Sequence, residues 1–263
     1  MSNSGPAWPR GLLGDPHAAP DKADRVRRMF NGIAPRYELV NRLFSAGRDA
    51  YWRRQAVELA SVGPSDMVLD VACGTGDFAR VFAAAGAREI VGCDFAHEML
   101  MHAMRHDDAA VLRGSAGAAS IMRSAPRLRW CEADALRLPF RAGAFSIVSC
   151  AFGARNFENL DAGLAEMFRV LRPGGRAVIL EFTRPKGRLA RSVYEFYAHR
   201  VMPLAATLIA RDTSGAYRYL PRSVVSFLDE RQMCAKLRQA GFADATATPL
   251  TLGIVSVYVA ARS

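Results

Sequence analysis

Apolar positions come in short blocks along the chain, and their spacing changes from block to block. Met67 to Ala72 is a mainly apolar run followed at once by Gly74 and Gly76. This predicts a buried strand closing into a tight turn. Asp77 to Ala85 then has helical character, and Glu89 to Cys93 forms a second strand ending at Asp94. Strand, turn, helix, strand is the order of a parallel sheet. Leu128 to Glu132 and Ala144 to Phe152 predict two more strands, the second apolar enough to be buried on both faces. Leu160 to Leu171 carries Leu164, Met167, Phe168 and Leu171 at helical spacing and stops at Pro173-Gly174-Gly175. Arg176 to Phe182 is a fifth strand and Asp229 to Ala240 a helix closed by Gly241. Ala243 to Thr248 and Ile254 to Ala260 read as a closing hairpin.

Upstream of this pattern, Lys22 to Leu43 predicts a helix broken near Pro35, and Tyr51 to Ala60 another ended by Gly63-Pro64. Met99 to Met104 is helical. Arg105 to Arg127, rich in Ala, Gly, Ser and Arg, reads as a surface insertion. The first residues are rich in Pro, Gly, Ala and Ser, so residues 1–22 are expected to be a loose tail before one domain over residues 23–263. The expected fold is α/β: a mostly parallel, doubly wound seven-stranded sheet with helices on both faces and an antiparallel C-terminal hairpin.

Composition removes several classes. At 263 residues, 51% hydrophobic and 23% charged, the chain is neither disordered, collagenous nor coiled coil. The longest uncharged apolar run in the basic C-terminal half, Val201 to Ala210, contains Pro203 and is half the length a membrane span needs. The five cysteines form no C-x-x-C pair, so neither a disulfide framework nor a metal site is expected. With no apolar leader at the start, a cytoplasmic location is expected. The formal charge of +10 is concentrated: Asp21 to Gln55 carries +5 and Arg184 to Arg222 carries +6. Such segments suit nucleic acid, an anionic membrane surface or an acidic substrate, or are simply a solvated arginine-rich face.

The candidate binding motif is Asp70-Val71-Ala72-Cys73-Gly74-Thr75-Gly76-Asp77. Its glycines let the backbone approach a ligand, and the next helix offers free N–H groups there. Asp94, at the end of the second strand, is placed to accept ribose hydroxyls. Gly74 to Ala79 also fits G-x-G-x-x-A, so a dinucleotide remains an alternative. Charge favours another ligand. Asp70 and Asp77 would repel a pyrophosphate and attract a ligand with an ammonium and a sulfonium, which is S-adenosylmethionine. Asp134-Ala135, after the third strand, falls beside the same crevice and suits the adenine amine; a turn-capping aspartate is the structural alternative.

Three blocks then carry a resemblance. They are Met29 to Asn41 with Ser45 and Trp52-Arg53, Phe152-Gly153-Ala154-Arg155-Asn156, and Arg169 to Gly175 running on to Leu180-Glu181-Phe182-Thr183. Tyr217 to Pro221 and Leu250 to Val255 fit as well. From about Asp24 onward the chain resembles the class I methyltransferases and, within them, the menaquinone and ubiquinone C-methyltransferase family. It departs from that pattern at Glu38, Asp49, Ser146, Ala151, Arg172 and Thr183, and in the length of the 105–127 segment.

The resemblance implies a Rossmann-like class I methyltransferase fold and methyl transfer to a ring carbon of a reduced polyprenyl quinone, demethylmenaquinol or its ubiquinone-pathway counterpart. It implies Arg155 and Asn156 as catalytic residues, Arg155 by charge and Asn156 by holding the ring oxygen. An ion pair of Arg155 with Glu158 or Asp161 is the structural alternative. Tyr37 is a candidate lid residue, with plain aromatic packing as the alternative, His199 is a candidate base, and Val193 to Ile209 would suit an isoprenoid tail or form a core helix. A bilayer-resident acceptor turns the basic segments into a docking device for an anionic membrane surface. Nucleic acid is not an expected partner, since no Asn-Pro-Pro-aromatic run or RNA-binding aromatic signature is present. The oligomeric state is left open, a homodimer included.

Overall fold

A computed structural model describes residues 6–19, 21–45, 47–113, 127–185, 187 and 215–263. Seven strands form one sheet: β1 (Met67–Val71), β2 (Glu89–Asp94), β3 (Arg127–Glu132), β4 (Phe145–Ala151), β5 (Leu171–Phe182), β6 (Ala243–Leu250) and β7 (Val255–Ala261). Their order is β3-β2-β1-β4-β5-β7-β6. The first five are parallel, and β7 inserts antiparallel between β5 and β6. The chain order reverses between β1 and β4, leaving a crevice at the carboxyl ends of the strands, where open α/β sheets bind ligands.

The side-chain period of two builds two cores. Val68, Ile147 and Val178 face one side of the sheet with Trp52, Phe78 and Phe82. Their neighbours Leu69, Val148 and Ile179 face the other, with Leu164, Met167 and Leu237. The first layer is covered by α3 (Asp49–Leu59) and α4 (Asp77–Ala84), the second by α6 (Leu160–Val170) and α8 (Glu230–Gln239). Helix α6 begins with an Asn159 side-chain cap and α8 with a capping box of Asp229 and Gln232.

Helices α1 (Lys22–Ile33) and α2 (Tyr37–Phe44) are joined by a single 3₁₀ turn at Ala34–Arg36, the break expected at Pro35. Helix α1 buries Lys22, Val26, Met29 and Ile33, one stripe at helical spacing that starts with a lysine. This stripe belongs to a third cluster with Trp8, Leu13, Met99, Ala216 and Tyr219, the last two from α7 (Ala216–Val225).

Three expectations are corrected here. The described part of the expected tail is not loose: Trp8 and Leu13 are buried, because large apolar side chains outweigh the Pro and Gly around them. Helix α5 runs from His97 to Arg113, well past Met104. The first part of the expected insertion is therefore helix, anchored by Asp107, which accepts the Trp130 indole N–H at 2.8 Å and pairs with Arg80 at 3.3 Å. Strand β5 begins at Leu171, ahead of Pro173-Gly174-Gly175, with a register shift opposite Phe145–Ile147. His199 and residues 193–209 lie outside the described residues, and no helix among those described is long and apolar enough to cross a membrane.

Candidate functional site

The carboxyl ends of β1, β2 and β4 and the loop after β3 converge on two adjoining clefts. The larger has a volume of about 650 Å³ with its open mouth and the smaller about 310 Å³. They share Tyr37, Ala72, Gly74 and Ala151. Two backbone positions at their walls are left-handed without being glycine, Ala72 (φ 54°) and Phe152 (φ 57°). Each such residue costs on the order of 1–2 kcal/mol, strain of the kind concentrated at ligand sites.

Asp70, next to last in β1, is fully buried at the wall of the smaller cleft. Its Oδ1 accepts the Ser149 hydroxyl at 2.8 Å, and its Oδ2 is buried with no hydrogen-bond partner. Burial pushes its carboxyl up to about 7, against the pull of the Ser149 hydroxyl, Arg53 and the Ala79 backbone N–H. An acceptor with nothing to accept from marks a place for a cationic donor. Asp94 ends β2 and lines the larger cleft, accepting N–H bonds from Gly74 and Ala96, both at 2.8 Å. Burial raises it to about 6, against the pull of the backbone N–H groups around it.

The two glycines of the turn do different work. Gly74 (φ 57°) borders both clefts, and a Cβ there would meet the Tyr37 ring at an ordinary 3.8 Å. Gly76 (φ 84°) borders neither: it starts α4, and a Cβ there would drive into the Trp130 ring. Thr75 lines the smaller cleft, and its carbonyl accepts two bonds from Arg80. Asp134 and Ala135 line the larger cleft, with Asp134 Oδ1 accepting the Leu136 N–H at 2.9 Å. That bond is the turn-capping alternative, and it coexists with a place at the cleft.

Asn156, in the 3₁₀ turn Ala154–Asn156 after β4, also lines the larger cleft. Its Oδ1 accepts the Tyr219 hydroxyl at 2.8 Å. Arg155 borders neither cleft. Its guanidinium is buried, donating to Glu181 at 2.7 Å and to the Phe152 carbonyl at 2.5 Å. The ion pair is thus with Glu181 on β5, not with Glu158 or Asp161; Asp161 pairs with Lys236 at 2.7 Å.

One charged cleft residue was given no role by the sequence. Arg53 on α3 lines the smaller cleft beside Asp70, paired with Asp49 at 2.6 Å and 3.6 Å from Asp77. The signal was Trp52-Arg53, but only the fold brings that helix to the turn after β1. The clefts therefore assemble Asp70, Gly74, Thr75, Asp94, Asp134, Ala135 and Asn156, while Gly76 and Arg155 support them from behind.

A doubly wound sheet with acidic strand ends around a glycine turn, closed by an antiparallel β6–β7 pair, defines a Rossmann-like class I methyltransferase fold. Solved structures agree: a SAM-dependent methyltransferase from Aquifex aeolicus has a TM-score of 0.57 at 14% identity, over 86% of this chain and 98% of that one. Another from Thermotoga maritima has 0.56 at 14%, over 90% and 99%. The chain belongs to the ubiE/COQ5 methyltransferase family, whose model matches residues 19–262. Among its relatives is the demethylmenaquinone methyltransferase of Deinococcus radiodurans, 43% identical over 91% of this chain and 93% of that one. That of Thermus thermophilus is 44% identical over 89% and 100%. The ubiquinone/menaquinone biosynthesis C-methyltransferase of Geobacter sulfurreducens is 43% identical over 90% and 88%.

Proposed function

We propose that this chain methylates a ring carbon of a reduced polyprenyl quinone, demethylmenaquinol, with S-adenosylmethionine as donor. The observation that carries the reading is the pair of joined clefts. One holds the buried, partnerless oxygen of Asp70 and suits a cation; the other combines Asp94 and Asp134 with apolar walls such as Phe30, Phe95 and Met99 and suits the donor's nucleoside, with the acceptor ring beside Asn156. The names of the relatives support the choice of quinone.

Bound S-adenosylmethionine supplies an electrophilic methyl group on a sulfonium. The chain's residues bind and orient. Asp70 balances the positive charge of the donor, and Gly74 and Thr75 let the backbone approach it. Gly76 keeps the turn tight by packing under Trp130. Asp94 has lone pairs left after accepting its two amides and takes ribose hydroxyls. Asp134 and the backbone at Ala135 meet the adenine edge.

On the acceptor side, a quinol ring carbon becomes nucleophilic when a neighbouring hydroxyl loses its proton. Asn156 donates from Nδ2 to that ring oxygen. Arg155 lies one residue away and lends positive charge, offset in part by Glu181. Tyr37, shared by both clefts, covers the junction. The enzyme works from the cytoplasm at the anionic membrane surface, where its basic segments dock.

The test is transfer of labelled methyl from S-adenosylmethionine to demethylmenaquinone, reduced and oxidised in parallel, beside a reduced polyprenyl methoxy-benzoquinone. Product from reduced demethylmenaquinone alone is expected. Product only from the benzoquinol would move the reading to ubiquinone. Docking is checked by flotation with anionic and neutral vesicles; binding insensitive to salt and lipid charge would remove it.

A further inference from the structure

Three contacts from the N-terminal segment converge on one residue of the acceptor side. The Lys22 ammonium is only 4% exposed and donates to the carbonyls of Arg155 (3.2 Å) and Phe157 (2.5 Å), the two residues flanking Asn156. The Trp8 ring stacks on Tyr219 with centroids 4.2 Å apart. The Tyr219 hydroxyl in turn donates to Asn156 Oδ1 at 2.8 Å. That last bond and the one Nδ2 donates to the Phe152 carbonyl at 3.3 Å fix one orientation of the amide, leaving the second Nδ2 hydrogen to donate elsewhere.

The segment is built for this place. Gly215 admits the Trp8 backbone, whose carbonyl oxygen would lie 2.6 Å from a Cβ there. Arg25 donates to the Ala7 carbonyl at 3.0 Å and Arg222 to the Leu13 carbonyl at 3.2 Å. Packing alone does not account for Lys22: it occupies the first position of the buried α1 stripe, where an apolar side chain would avoid the desolvation of an ammonium. Trp8 also precedes residues 19–262, the span shared with the family model.

We propose that residues 7–19 together with Lys22 are a positioning element of the acceptor site, holding the backbone of Asn156 through Lys22 and its amide through Trp8 and Tyr219. The proposal rests on the reading that Asn156 meets the acceptor oxygen. Trp8 and Lys22 touch neither donor nor acceptor; they set the angle at which Asn156 does, and small misplacements of such groups are costly in turnover.

The experiment measures kcat and KM for the quinol, and Kd for S-adenosylmethionine, in Trp8→Ala, Trp8→Phe, Lys22→Met, Tyr219→Phe, Asn156→Ala and the double variant Trp8→Ala/Tyr219→Phe. Trp8→Ala, Lys22→Met and Tyr219→Phe are expected to lower kcat about tenfold or more with the donor Kd within about twofold. Trp8→Phe keeps the stack and is expected to restore most of the turnover. The double variant should be no slower than Tyr219→Phe, since both act along one route. Trp8→Ala that lowers the melting temperature with kcat intact, or additive losses in the double variant, overturns the proposal. If Asn156→Ala leaves kcat unchanged, the reading of Asn156 itself fails. Loss in Asn156→Ala without loss in Trp8→Ala fails the positioning element alone.

Discussion

The Arg155 guanidinium and the Glu181 carboxylate lie 2.7 Å apart, 4% and 1% exposed, behind the cleft-lining loop after β4. Glu181 also accepts the Arg155 N–H at 3.2 Å and the Phe182 N–H at 2.9 Å, so one carboxylate ties the loop after β4 to the end of β5. Removing one partner strands the other charge in a dry interior. Glu181→Gln or Arg155→Ala should each cost about 3–5 kcal/mol, read as a lowered denaturation midpoint. Replacing both with methionine should recover most of that stability and none of the turnover. Turnover recovered together with stability would make the pair purely structural.

A pH experiment separates the cofactor side from the fold. Asp70 and Asp94 are raised by burial to about 7 and about 6, above the unfolded value of 3.8. Between roughly pH 4 and 7 the folded chain therefore holds protons that the unfolded chain has lost, and this contribution stabilises the fold as pH falls and is lost as pH rises through that window. Binding a cationic donor needs the carboxylates charged and runs the other way. The rise in melting temperature on adding S-adenosylmethionine should be larger near pH 8 than near pH 6. Asp70→Asn should weaken binding and flatten that dependence; an unchanged slope would remove Asp70 from the donor site.

The two glycines of the turn predict opposite outcomes. Gly76→Ala forces a Cβ into the Trp130 ring from a left-handed backbone and should destabilise by about 2 kcal/mol or more. Gly74→Ala puts a Cβ in ordinary contact with the Tyr37 ring and should cost about 1 kcal/mol of backbone strain, while blocking the approach of the donor. Thermal melts and donor titrations on the two variants check this. Equal loss of stability in both would contradict the division of labour.

Arg53 gives a fourth test. Its guanidinium lies in the smaller cleft between Asp49 and Asp77, close enough to pull on the titration of Asp70. Arg53→Met should weaken donor binding about tenfold and shift the pH dependence of binding upward, because Asp70 loses a cation that favours its charged form. Calorimetric titration across pH reads both. Unchanged affinity would assign Arg53 to holding α3 alone.

Strands such as β1, β2 and β4 were legible because they are short, mostly apolar runs bounded by turn residues, and the alternation of strand and helix pointed to a parallel sheet; the start of β5 at Leu171 was hidden by Pro173-Gly174-Gly175. Asp70, Asp94 and Asp134 were legible for the same reason: each falls where a predicted parallel strand ends or just beyond. Helix α7 was not, since Pro221 and a basic composition hide its buried residues Ala216 and Tyr219. The extension of α5 through alanine, arginine and histidine carries no apolar period to announce it. Nearby Glu158 and Asp161 were natural partners for Arg155 by proximity in sequence, yet the parallel pairing of β4 and β5 brings Glu181 closer.

Local pattern, then, determined the sheet, the acidic strand ends and the glycine turn, because those features depend on a few neighbouring residues and the period of a strand. Tertiary structure alone decided which glycine borders the clefts and which packs, where Arg155 spends its charge, and that Trp8 reaches Tyr219 across more than two hundred residues. These contacts join distant parts of the chain, and their energies come from burial and close packing that no window of local sequence contains.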